Sequence, residues 1–184
     1  MADRVVKPGQ NTAPDMPELL QKLLQYLVRE ARKNMEEQQG FSPFVGVAVG
    51  ESLVLEEIAG EEPTDVYRMA KHTVEGTRGA QGYGFCYDGY VDTDEGQKDA
   101  IIAEGGMAGL PEGYAVALLY NVDQENKAFE FVPPISYIGP APNFMALTFN
   151  DNTPDEEGAT PQAQEPEGQE DADFDDEPRD PSDI

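Results

Sequence analysis

The sequence predicts an α+β domain: one antiparallel sheet of about five or six strands with two helices, followed by a disordered acidic tail. Three observations carry this. Apolar residues recur at three- and four-residue steps in two stretches, as on one face of a helix. Short apolar or alternating runs lie between and after them, joined by hairpin-type turns, and hairpins require antiparallel pairing. From residue 151 onward apolar residues nearly vanish and acids dominate. The order α-β-β-α-β-β-β-β then packs helices on one sheet.

Residues 1–14 are polar, with Pro8, Gly9 and Pro14, and read as a flexible N-terminal arm. A single α+β domain is expected over residues 15–150. Its first helix is marked by Leu19, Leu20, Leu23, Leu24, Leu27, Val28, Ala31 and Met35, with Pro17 in the first turn and Gly40 at the stop. Two short apolar strands follow, residues 44–49 and 52–58, and Gly50-Glu51 between them suits a type II′ turn. Glu61-Glu-Pro63 opens the second helix, in which Val66, Met69, Ala70, Thr73, Val74 and Thr77 share a face.

Residues 81–104 form the central hairpin. Tyr83, Phe85, Tyr87 and Val91 alternate with Gly84, Cys86, Asp88 and Asp92, the two-residue period of a strand. A three-residue loop, Asp94-Glu95-Gly96, with Gly96 at positive φ, pairs Thr93 with Gln97, Asp92 with Lys98, Asp88 with Ile102 and Cys86 with Glu104. Gly105-Gly-Met-Ala-Gly109 reads as a mobile connection. Residues 114–122 make an interior strand, and Asn126 takes the left-handed position of the turn into residues 128–132. With Pro133, Pro134, Pro140 and Pro142, residues 133–149 read as an irregular segment laid over the domain.

Residues 151–184 hold 14 acids, one arginine and five prolines, too few apolar groups to offset the entropy of ordering. The chain's net charge is -25, of which -13 lies in this tail and -12 in residues 1–150. Such charge repels phosphate backbones and anionic lipid, so neither direct nucleic-acid binding nor membrane docking is expected. One cysteine in 184 residues and no secretory-type leader fit a cytoplasmic protein.

The candidate chemistry sits on the central hairpin. In the register above, Asp88 and Glu104 lie diagonally on one sheet face, and two carboxylates so placed can split their pKa values, hold a cation or act as acid and base. They are the catalytic candidates, and with Asp92 the metal candidates; the alternative is an ordinary solvated face. Asp92-Thr-Asp-Glu-Gly96 starts like a calcium loop but lacks its glycine and glutamate at the required positions. Cys86 has no histidine beside it, since the lone His72 falls on the outer side of the second helix. No phosphate-loop motif occurs, and no cofactor is implied.

The element order is similar to that of profilin-like and roadblock or longin domains, in topology only and with no shared motif. Residues 171–178 resemble the acidic, aromatic tails by which single-stranded DNA-binding proteins recruit partners, but Arg179-Asp-Pro-Ser-Asp-Ile184 replaces their apolar closing motif. The expectation is a small acidic, non-catalytic protein-interaction or regulatory domain, with a basic protein partner or a second copy docking on the first helix or a sheet edge. The alternatives are a cation-dependent or hydrolase-like enzyme centred on Asp88 and Glu104, and an acidic nucleic-acid mimic occupying a basic groove.

Overall fold

A computed structural model describes residues 4–5 and 15–146. Most of the expected arm and the tail expected at 151–184 lie outside the described residues. The elements are β1 (Arg4–Val5), α1 (Glu18–Gln38), β2 (Phe44–Val49), β3 (Ser52–Glu57), α2 (Pro63–Gly76), β4 (Ala80–Thr93), β5 (Gly96–Met107), β6 (Gly113–Val122) and β7 (Phe129–Ala141). The α+β class holds: two helices pack on an antiparallel sheet ordered β3-β2-β4-β5-β6-β7. Within the arm, Arg4 and Val5 add a short parallel strand beside Val91 and Asp92 of β4.

Both β3 and β4 run antiparallel to β2, so they are parallel to each other, and α2 makes the crossover between them. The helices lie on opposite faces. On one, Leu20, Leu23, Leu24, Leu27, Val28, Ala31 and Met35 of α1 bury against Cys86, Ile101, Ala103, Val116, Leu118 and Tyr120. On the other, Val66, Ala70 and Val74 of α2 join Val45, Val47, Tyr83, Phe85, Tyr87, Ile102 and Ala117. Met69, expected on this face, is exposed.

α1 stops at Gln38, just short of Gly40, capped by Gln39, which takes the left-handed conformation (φ 62°) and donates its N–H to the Met35 carbonyl at 3.0 Å. Beneath the helix, Gly46, Gly84 and Gly105 stand side by side across β2, β4 and β5. A Cβ on Gly84 would lie 2.4 Å from Leu27 Cδ1, and one on Gly105 would lie 2.9 Å from Leu24 Cδ2. The glycines form a trough that seats these leucines. This corrects the reading of residues 105–109 as a mobile connection, because β5 runs through Gly105 and Gly106 to Met107.

The proline-rich stretch is likewise a strand. β7 continues past Pro133 and Pro134 to Ala141, bulging away from β6 opposite Leu118 and again near Val116. Prolines are tolerated there because β7 is an edge strand. After it, Asn143 donates to the carbonyls of Met107 (2.9 Å) and Leu110 (2.7 Å), and Phe144 and Met145 turn down into the α2-side core. In the turn before β7 the left-handed residue is Lys127 (φ 54°), not Asn126.

The central hairpin forms as expected, with Gly96 at φ 106°, but its register is one residue shorter than the three-residue loop implies. Thr93 pairs with Gly96, Asp92 with Gln97, Asp88 with Ile101 and Phe85 with Glu104. The Thr93 hydroxyl spans the turn, donating to the Gly96 carbonyl at 2.8 Å and accepting from the Glu95 amide at 3.3 Å. Closing the turn one residue early carries every β5 side chain to the other face.

Candidate functional site

That slip separates the two candidate acids. Asp88 extends on the α1 side, where its Oδ1 accepts the Tyr120 hydroxyl at 2.7 Å. Tyr90 and Asp99, directly paired, share its face. Tyr120 is itself wedged between Phe129 and Phe131, with the Arg32 guanidinium 4.8 Å from the Phe131 ring centre. Asp88 stays exposed at the rim of this aromatic cluster. Atoms packed round its carboxyl raise its pKa, the Tyr120 hydrogen bond opposes that, and the Asp99 charge adds to it.

Glu104 points the other way, into the α2-side core. It is 7% exposed and is the one buried charged residue among the described residues. The Tyr87 hydroxyl donates to its Oε1. Tyr83 stands close by, stacked on Phe144 with ring centres 4.8 Å apart, and Phe144 meets Tyr67 edge-on. The Tyr83 hydroxyl donates to the Pro142 carbonyl and accepts the Phe144 amide at 2.9 Å. Burial pushes the phenols of Tyr83 and Tyr120 well above the ordinary tyrosine range, so both stay protonated and act as donors.

The expected Asp88–Glu104 pair therefore does not form, and the sheet lies between the two carboxyls. Asp92 shares the Asp88 face but stands four residues along the strand, roughly 13 Å away. Among the described residues no three Asp, Glu, His or Cys side chains gather as metal ligands. Cys86 is fully buried under α1, and burial, then the Asp88 charge, raise its thiol pKa well above the usual value. His72 is exposed on α2, as expected. What the site residues form is two phenol–carboxyl pairs, one at the rim and one in the core, each joining two strands.

The feature the sequence reading passed over is β3. All six of its residues are exposed, and Leu53, Val54 and Leu55 keep 38%, 50% and 45% of their surface in water. Leu53 and Leu55, paired with Ala48 and Gly46, extend on the α1 face, while Val54, paired with Val47, extends on the α2 face. Comparison with protein-family models, with curated proteins and with solved structures finds no match to this chain.

Proposed function

We propose that the chain is a small, acidic, non-catalytic interaction domain that works in the cytoplasm through the open edge of β3. The observation that carries this is the contrast between the two sheet edges. β7 is blunted by Pro133, Pro134 and Pro140 and by two register shifts, the devices by which sheets avoid unwanted pairing. β3 has no proline, no lysine and an unbroken register with β2 from Ser52 to Glu57. It nevertheless presents three large apolar side chains. An unprotected apolar edge is costly to keep unless something docks on it.

The other surface considered for docking, the leucine stripe of α1, is spent on the sheet, where Leu20, Leu24, Leu27 and Val28 are fully buried. An enzyme reading centred on Asp88 and Glu104 loses its premise once the two acids face opposite sides. The test compares proteins captured from a native-host extract by the full chain and by its Val54→Lys variant, with circular dichroism confirming that both fold. The reading expects captured species that the variant loses. Identical captured sets, or none from either protein, would overturn it.

A further inference from the structure

We infer that the β3 edge accepts an extended peptide segment that is both apolar and basic, added to the sheet as a further strand. This rests on the reading of β3 as the contact surface and names what occupies it. Strand addition draws affinity from main-chain hydrogen bonds and selectivity from alternate side chains. At β3 the main-chain groups on the outer side have no strand neighbour among the described residues. Leu53 and Leu55 supply apolar surface on one face and Val54 on the other, so the incoming strand must be apolar at successive positions.

Charge fixes the rest. Between Gly50 and Tyr67 the chain carries Glu51, Glu56, Glu57, Glu61, Glu62 and Asp65 and no lysine, arginine or histidine. Glu51, Glu56 and Glu57 are exposed at the two ends of β3 itself. Opposite charges across paired strands stabilise and like charges destabilise, so lysine or arginine belongs at both ends of the incoming segment. A second copy fits poorly. Pairing β3 with itself about a two-fold axis at Val54 sets Glu51 of each copy opposite Glu57 of the other, between chains of net charge -25.

The test uses the full chain and three blocked ten-residue probes: six valines between paired lysines (valine–lysine), six glycines between paired lysines (glycine–lysine) and six valines between paired glutamates (valine–glutamate). The readout is amide hydrogen exchange over residues 52–57, because the acidic tail also attracts lysine and only a local signal reports the edge. Valine–lysine is expected to slow exchange there by about tenfold or more at saturation, and the other two probes to leave it unchanged. Val54→Lys and, separately, Glu57→Lys should weaken valine–lysine binding about tenfold and severalfold, the scale of losing a central and a rim contact. Raising the salt should weaken it as well.

Equal protection by glycine–lysine, or none by valine–lysine, would overturn the inference. So would a β3-dependent dimer in light scattering that no probe disperses, which would seat a second copy on the edge. If the probes fail while extract capture remains sensitive to Val54→Lys, the peptide class is wrong and the β3 reading stands; if both fail, both fall.

Discussion

Tyr87→Phe and Tyr120→Phe each remove one hydroxyl from a phenol–carboxyl pair, and the structure assigns them different costs. The Tyr87 hydroxyl donates to Glu104, which is 7% exposed and lies between its strand partners Phe85 and Ala115. Water has little access there, so deleting the donor leaves a buried carboxyl oxygen short of a bond, at a cost of about 1–3 kcal/mol. The Tyr120 hydroxyl donates to Asp88, whose side chain is partly open to water at the rim, so water replaces part of the bond and the loss should be smaller, about 0.5–1 kcal/mol. Phenylalanine keeps the ring stacking in both cases, so the difference isolates the hydroxyl. Urea denaturation of both variants at neutral pH, with the denaturant slope checked for constancy, measures the two losses. Equal losses, or a larger loss at Tyr120, would refute the placement of Glu104 in the α2-side core and the register that puts it there.

Asp88→Asn should raise stability at neutral pH, because a carboxyl whose folded pKa is raised penalises the folded state once ionised. The sign follows from proton binding: the native state holds this proton more tightly, so the wild type loses stability as pH rises from the unfolded value of about 3.9 through the folded pKa. The gain from Asn should vanish on acidification below that window, and a pH-independent difference would point to packing instead. Gly105→Ala should destabilise by about 3 kcal/mol, the upper range of overpacking, since its Cβ would lie 2.2 Å from the Tyr83 carbonyl oxygen. Gly40→Ala, with nothing within 4 Å, is the control for thermal melts, and equal Tm values would contradict the trough under α1. Cys86 should resist iodoacetamide at mildly alkaline pH except through unfolding, with an alkylation rate that follows denaturant; rapid native-state labelling by mass spectrometry would contradict its burial.

The helices and the hairpin segments were legible because each is encoded by local period and turn residues. The α1 stripe from Leu19 to Met35 buries as the spacing implies, apart from Leu19 itself, which is exposed. The faces of β5 were not legible, because they hang on where a turn closes. The turn, bridged by the Thr93 hydroxyl, closes one residue earlier than the loop residues imply, and Glu104 goes from an expected site into the core. The glycines at 105 and 106 and the prolines at 133 and 134 misled for a related reason. Their meaning depends on what approaches the strand: Leu24 above Gly105, Asn143 beside Gly106, and, among the described residues, no further strand beyond β7. β3 reads like any short apolar strand, and only the strand order places it at an edge.

The most direct test of β3 as the working surface is site-specific photocrosslinking in the organism that makes the protein. A photoreactive residue is installed singly at Val54, at His72 on the outer face of α2, and at Glu125 in the turn before β7; all three positions are exposed. Docking on β3 predicts a discrete adduct from position 54, reduced severalfold when Glu57→Lys is added, and none from 72 or 125. Adducts from position 72 or 125 with none from 54 would place the contact elsewhere and contradict the account.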